Sequence, residues 1–498
     1  MPCNLELKIS KTLPECTFQH LKQIHALIIT CSLSRNVKIF SKFLRRTTEF
    51  GTMDYSSLIF SQMGHGSSAQ IVIWNAMIRG YAFNGPFQEC IQMFDEMPHR
   101  GLKPHNFTYP YVINSCCELE LYGKGKRVHC EVVKSGFESS YAVANSLLNM
   151  YLKMPASFVT GLAGNCKLDD ALGEVANARD MFEKMPEKNV ISWTSMIGAY
   201  ADTGDLETAR MYFETMPQRN VVSWNSMISS YAKHGKFVDS LNLFVKMQSE
   251  GVAPDGYTFV SVLSACSNLG DLEFGKYIHY LTRDLSRSEV MIGTALTEMY
   301  AQCGDVDKAF AVFIKIGKRD VFCWNVIIKA LALHGRSEEA IQIFLLMRKT
   351  GLKPNDFTFT SALFACSHGG LVEEGLRIFN SMEKYYQISP KITHYACLID
   401  MLCRNGQLEE AMLLVEDMPF KPDVAILGAL LGGCRVTGDF KLAEKVVEKA
   451  TELETNDSGV YVLLSNIHAS AGQWIEAADA RKKMDEKKIS KKAGSSVV

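Results

Sequence analysis

The chain has 498 residues, with 53 Lys and Arg against 54 Asp and Glu and a formal net charge of −1. That balance gives no bulk basic signal for nucleic acid, so any such binding must rest on a local surface. Hydrophobic residues make up 47% and charged residues 21%, a foldable and soluble composition; no apolar run approaches the roughly 18 residues of a membrane helix, and the length exceeds one ordinary core unless that core is extended through stacked repeats.

The first segment, residues 1–16 (MPCNLELKISKTLPEC), has no signal-peptide core and no Arg enrichment, and it contains Glu6 and Glu15. It reads as a possible weak targeting sequence and no more. Residues 17–70 carry HLKQIHALIITCSLSRN, then VKIFSKFL and YSSLIFSQM, a degenerate form of the pattern that follows.

Residues 71–105 show that pattern clearly. IVIWNAMIRGYAFNG places Trp74, Ile78, Tyr81 and Ala82 on one helical face. Gly85 and Pro86 punctuate, and PFQECIQMFDEM places Phe87, Cys90, Ile91, Phe94 and Met97 on a second apolar face, with Gln88, Glu89, Gln92 and Asp95 outside. RGLKPH closes the unit. A helical hairpin of this size cannot bury both faces alone, so neighbouring hairpins must stack.

The register then continues. Residues 106–140 open NFTYPYVINSC. Residues 190–220 and 290–320 are shorter and lack the GLKP-like return. Residues 221–255 end GVAPD, residues 321–355 end GLKPN, and residues 256–289 and 356–391 open GYTFVSVLSAC and DFTFTSALFAC. Standard, long and short units thus cycle. WNAMIRGYA, WTSMIGAYA, WNSMISSYA and WNVIIKALA, beginning at Trp74, Trp193, Trp224 and Trp324, mark the first helices. Residues 141–189 are a short unit enlarged by an insertion near 155–174, most simply a longer turn between its two helices. Of the 15 cysteines, Cys116, Cys266 and Cys366 sit in apolar helical contexts and read as buried thiols in a reducing compartment.

The WNxMIxxYAxxG openers, the ends Met97-Pro98, Met185-Pro186, Met216-Pro217 and Met418-Pro419, and the GKxIH-like phrases at Gly125–His129 and Gly275–His279 resemble the pentatricopeptide repeat family, specifically its plant P-L-S subfamily. The resemblance covers nearly the whole chain: degenerate repeats over 17–70 and the P-L-S array over 71–423. Residues 424–490 are similar to the family's E-type extension, a pair of tetratricopeptide-like hairpins. Leu427 stands where the family usually has Trp, and the short tail 491–498 stands where relatives usually continue through a Pro-Gly-Cys-Ser-Trp phrase. The resemblance implies an all-α, right-handed superhelical solenoid of helix-turn-helix repeats.

It also implies a mechanism. Such arrays bind single-stranded RNA, one base per repeat, through two or three side chains. The implied base-reading positions are the fifth residue of a unit and its last residue. Here the pairs are Asn75 with His105, Asn145 with Asn189, Thr194 with Asn220, Asn225 with Asp255, Thr294 with Asp320, and Asn325 with Asn355. A carboxylate only accepts hydrogen bonds and suits the ring N–H of uracil or guanine, whereas an amide suits adenine or cytosine. Compact Thr leaves room for a purine, and longer Asn fits a pyrimidine. Thr194/Asn220 is expected to favour adenine, Asn225/Asp255 uracil, Thr294/Asp320 guanine, and the Asn/Asn units a pyrimidine. The base opposite Asn75/His105 is left open, since His is unusual there. The long units pair Pro110 with Ser140, Val260 with Glu289 and Thr360 with Lys391, and are expected to space or to discriminate weakly.

By resemblance, the chain acts as a site-recognition factor for cytidine-to-uridine RNA editing in a plant organelle, the mitochondrion with the chloroplast as alternative. The resemblance further implies that it recruits a DYW-type cytidine deaminase and organellar editing factors in trans. No catalytic residue, metal site or cofactor is expected: a zinc deaminase needs H-x-E followed by P-C-x-x-C, only His129 is followed two residues on by Glu, and no Cys-x-x-Cys occurs. Splicing, stabilisation or processing of an organelle transcript, and a protein–protein scaffold, are the rival functions. Arg481 to Lys492 reads as a solvated basic helix tail, with an RNA phosphate contact as the alternative.

Overall fold

The computed structural model describes Ile9, residues 12–31, Leu33, and residues 36–61, 70–154, 178–185, 187–283 and 289–439. Beyond these it describes isolated helical positions between 442 and 469, and residues 472–486. The expected insertion near 155–174, most of the segment 1–16, most of the extension 424–490 beyond its first helix, and the tail 491–498 lie outside the described residues. Among the described residues every regular element is helical, as the periodicity predicts, and the helices pair as hairpins.

Two compact units divide the chain within the helix Phe237–Ser249. The first contains α1 (Phe18–Thr30), α2 (Val37–Glu49) with α3 (Met53–Ser61), α4 (Gln70–Asn84) with α5 (Phe87–His99), α6 (Tyr109–Glu118) with α7 (Tyr122–Ser135), α8 (Tyr141–Lys153), α9 (Val190–Asp202) with α10 (Leu206–Thr215), and α11 (Val221–Lys233). The divided helix is α12. The second unit contains α13 (Gly256–Leu269) with α14 (Leu272–Leu281), α15 (Val290–Gln302) with α16 (Val306–Lys315), α17 (Val321–Leu333) with α18 (Ser337–Lys349), α19 (Asp356–Gly369) with α20 (Val372–Tyr386), α21 (Ile392–Arg404) with α22 (Leu408–Asp417), α23 (Val424–Thr437) and α24 (Trp474–Glu486). Within each unit the first helix of a hairpin packs on its own second helix and on the first helix of the next hairpin, as in α15 on α16 and on α17.

The repeated sequence signals have repeated packing roles. The helix-opening Trp sits edge-on to a Phe of the preceding second helix: Trp224 on Phe213 with centroids 4.8 Å apart, and Trp324 on Phe313 at 5.0 Å. Such pairs add to the burial of apolar area. The long units carry a Gly in their second helix because a Met of the next first helix lies against it. A Cβ at Gly125, Gly275 or Gly375 would fall 2.3, 2.3 and 2.5 Å from the sulfur of Met150, Met299 and Met401. The His of the GKxIH-like phrase also faces the next unit, with Nδ1 of His129 and His279 each 2.8 Å from the hydroxyls of Tyr151 and Tyr300. Burial lowers the pKa of both imidazoles. His129 is thereby assigned to packing, while Glu131 is exposed. The LKQIH stretch of the degenerate repeats behaves alike, since His25 Nδ1 lies 2.8 Å from the Tyr55 hydroxyl. Cys116, Cys266 and Cys366 are buried, and burial pushes each thiol up to about 12.

Candidate nucleic-acid interface

The last residue of a standard or short unit caps the first helix of the next, except His105, after which the helix Tyr109–Glu118 has no side-chain cap. Asn189 Oδ1 accepts the Ser192 N–H at 2.9 Å, Asn220 Oδ1 the Ser223 N–H at 3.1 Å, Asp320 Oδ1 the Cys323 N–H at 2.9 Å, and Asn355 Oδ1 the Thr358 N–H at 3.1 Å. Asp255 Oδ1 does the same for the Thr258 N–H at 2.9 Å. Asn and Asp are favoured there because their short side chains satisfy a backbone N–H that the helix itself leaves unpaired. In the structure the cap is present at each of these five positions. Capping also commits one oxygen, which decides what remains. A capping Asn keeps its amide N–H groups, which are donors, and a capping Asp keeps its second oxygen, an acceptor.

The loop before the caps that end the short units is anchored. Arg219 Nε donates to Phe213 O at 3.0 Å, and Arg319 Nε to Phe313 O at 2.9 Å, with the guanidinium groups 5.1 and 4.7 Å from those Phe ring centroids. A loop Arg thus satisfies a terminal carbonyl of α10 or α16 and holds the neighbouring Asn220 or Asp320 in place. Lys188, before Asn189, donates to Met185 O at 3.3 Å. The sequence reading did not single out these basic residues, although their fixed place one residue before the cap is visible in it.

The fifth residues lie beside these caps to differing extents. Asn325 Nδ2 donates to Asn355 Oδ1 at 3.1 Å, and Asn75 Nδ2 lies 3.0 Å from His105 Nε2. Thr294 and Asp320 meet through Cys323, whose sulfur is 2.6 Å from Thr294 Oγ1. Thr194 is half-buried and donates to Val190 O in its own helix at 2.8 Å, and no hydrogen bond joins it to Asn220 among the described residues. Asn145 is half-buried and makes no such bond to Asn189. Asn225 is half-buried in α11 of the first compact unit, and Asp255 belongs to the second.

The ends of the long units differ. Ser140 and Glu289 make no side-chain cap, and Lys391 forms an ion pair with Asp356. Asp423, at the end of residues 392–423, caps α23 through the Ile426 N–H at 3.0 Å. It extends the series by a position not paired at the sequence level, where Ala396 is the fifth residue.

A second series was also missed. In most units the residue three before the fifth position is apolar and exposed: Phe107 at 65%, Tyr257 at 70% and Phe357 at 73% in long units, with Ile191, Val222 and Phe322 each more than half exposed in three others. These apolar side chains thus stand in water at a fixed register near the start of these first helices. The available signal was an apolar residue recurring off the buried face of most first helices.

The model of the PPR repeat family matches residues 69–118, 219–268 and 319–368, and PPR repeats match residues 191–221, 294–321, 357–386 and 387–419. The E motif matches residues 438–498. The Arabidopsis thaliana pentatricopeptide repeat-containing protein At5g59200, chloroplastic, is 39% identical over 481 residues, 96% of this chain and 84% of its own. The chain belongs to the pentatricopeptide repeat family. Arabidopsis thaliana At2g20540 is 39% identical over 96% of this chain and 86% of its own, and At2g22410, mitochondrial, is 38% identical over 90% and 63%. Among solved structures, the pentatricopeptide repeat protein PPR10 in complex with an 18-nt psaJ RNA element is similar with a TM-score of 0.48, at 17% identity over 98% of this chain and 85% of that one. In pentatricopeptide terms, the capped junctions follow P and S repeats, and the uncapped ones follow the L repeats and the P repeat that ends at His105.

Proposed function

We propose that the chain binds single-stranded RNA in a sequence-specific manner, with Asn75, His105, Asn145, Asn189, Thr194, Asn220, Asn225, Asp255, Thr294, Asp320, Asn325 and Asn355 reading bases. The observation that carries this reading is the series of Asn and Asp caps in register, each carrying a second polar group besides the oxygen that caps. The amide of a capping Asn donates to adenine N1 or cytosine N3, and the second oxygen of a capping Asp accepts from uracil N3–H or guanine N1–H. The exposed apolar residues beside the caps offer faces on which bases stack, which is tolerant of sequence and supports affinity rather than choice. With the RNA 5′ end toward the N-terminal repeats, the units from Asn145 onward read pyrimidine, adenine, uracil, any base, guanine, pyrimidine.

The E motif supports a role in cytidine-to-uridine editing of organelle transcripts, in which the chain selects the site and a DYW-type deaminase acts in trans. The relatives' chloroplastic and mitochondrial names support an organelle address. Sequencing organelle transcripts from a plant lacking the protein tests this directly. The expected result is loss of cytidine conversion a few nucleotides downstream of the sequence given above. Intact editing with altered splicing or transcript ends would replace the editing role by the processing role.

A further inference from the structure

At three junctions the fifth residue of a unit meets the third residue of the next. Thr358 Oγ1 donates to Asn325 Oδ1 at 2.6 Å and also lies 3.0 Å from Asn355 Oδ1, while accepting the Asn355 N–H at 3.1 Å. Thr108 Oγ1 donates to Asn75 Oδ1 at 2.8 Å and accepts the His105 N–H at 3.2 Å. Cys323 Sγ lies 2.6 Å from Thr294 Oγ1. Because the Thr294 hydroxyl donates to Val290 O at 2.8 Å, the thiol is the donor in that contact. Burial pushes this thiol up to about 11, so it keeps its proton. Thr108, Cys323 and Thr358 are all buried.

A carboxamide has two edges of nearly equal size, and a half-turn about its last bond exchanges donor for acceptor. A buried hydroxyl donating to Oδ1 removes that freedom. It fixes the oxygen on the side of the next helix and turns the NH2 toward the cap residue, as Asn325 shows with Asn355. We infer that the third residue of the following unit is a specificity-positioning residue where the fifth residue is an amide: Thr358 for the base read by Asn325 and Thr108 for Asn75. This rests on the fifth residue reading a base. It acts through that residue and touches no base itself.

The unit of Asn145 provides an internal contrast. It has the same Asn/Asn pair as the unit of Asn325, yet Asn145 Oδ1 is buried with no hydrogen-bond partner among the described residues. The hydroxyl of the following Ser192 donates instead to Asn189 O at 2.9 Å. Equal pairs with unequal locks should discriminate unequally, with the sharper pyrimidine preference opposite Asn325.

The test uses the full chain and a synthetic single-stranded RNA built on the proposed sequence, with each of the four bases in turn opposite Asn325. Thr358→Val removes the hydroxyl donor, and Thr358→Ser keeps it. The expected result for Thr358→Val is a fall of about 2- to 10-fold in the pyrimidine-over-purine affinity ratio at that base, the range of one net hydrogen bond. The ratio opposite Thr294 stays unchanged, and Thr358→Ser retains the wild-type ratio. Thr358 also completes the cap at Asn355, and a merely structural role would weaken all four RNAs equally with the ratio preserved, which overturns the inference. Thr108→Val, read opposite Asn75, is the second variant if Thr358→Val does not fold. If the wild-type chain shows no preference opposite Asn325, both the base-reading assignment and this inference fall. If the wild type discriminates and Thr358→Val discriminates equally, only the inference falls.

Discussion

Gly275→Ala should destabilise the protein, although Ala is the better helix former. The added Cβ would lie 2.3 Å from the sulfur of Met299, 2.7 Å from its Cε and 3.1 Å from its Cγ. Carbon and sulfur in favourable contact sit about 3.5–4 Å apart, so three consecutive atoms of Met299 must move. Met299 is fully buried, which leaves the side chain little room to move into. Overpacking of this kind costs about 1–3 kcal/mol, and the adaptability of Met places the expectation toward the lower half of that range. Gly198→Ala is the matched control. Gly198 is inside α9, no heavy atom lies within 4 Å of its would-be Cβ, and the substitution should stabilise by about 0.5–1 kcal/mol. Thermal unfolding of wild type, Gly275→Ala, Met299→Ala and the double variant gives the coupling. Met299→Ala alone costs about 2–5 kcal/mol. The double variant should cost less than the sum, because the new methyl group fills part of the space that Met299 vacates. A neutral or stabilising Gly275→Ala, or strict additivity in the double variant, would refute the role of this glycine as a seat for the methionine.

Other consequences can be checked on the same protein. Asn220→Asp keeps the cap, so the melting temperature should hardly change, while the preference of that unit moves from adenine toward guanine; fluorescence anisotropy with four single-base RNAs reads the shift. Tyr257→Ala removes a side chain that is 70% exposed, so stability should change by less than about 0.5 kcal/mol, while RNA affinity weakens by about 1–3 kcal/mol with little effect on base choice. Burial lowers the pKa of His25, His129 and His279 from 6.5, with Lys308 and Lys315 adding to the effect at His279. The unfolded chain therefore binds these protons more readily than the folded one. Stability is full above about pH 6.5 and falls as the pH drops below it toward the folded pKa. Melting temperatures between pH 5 and pH 8 test this, and replacing His279 by Gln should flatten the slope.

Much of this was legible in the sequence. The helical hairpins follow from apolar spacing that recurs with every unit, and a unit that cannot bury both faces dictates stacking. The cap positions were legible as well, since Asn and Asp recur immediately before an apolar helix start. The geometry that links them was not. Sequence spacing places Asn325 and Asn355 at the ends of one unit, but they meet directly and both bond Thr358, a residue assigned to the next. The glycines of the long units were visible as part of a phrase, yet their reason is a methionine about 25 residues further on, a contact that only packing reveals. The exposed row of Phe107, Tyr257 and Phe357 was passed over because an apolar residue in a helix is ordinarily read as core. Only its solvent exposure shows that it faces outward.

The most direct test of the account is a binding titration of the wild-type chain with RNAs that vary one base at a time opposite Thr194/Asn220 and Thr294/Asp320. These units share the same compact fifth residue and differ in the group that the cap leaves over, an amide in one and a carboxylate oxygen in the other. The account predicts adenine as the best base at the first and guanine as the best at the second, with each mismatch costing about 1–3 kcal/mol, roughly 5- to 150-fold in affinity. Equal affinity for all four bases at both positions would contradict it and would leave the Asn and Asp residues as helix caps alone.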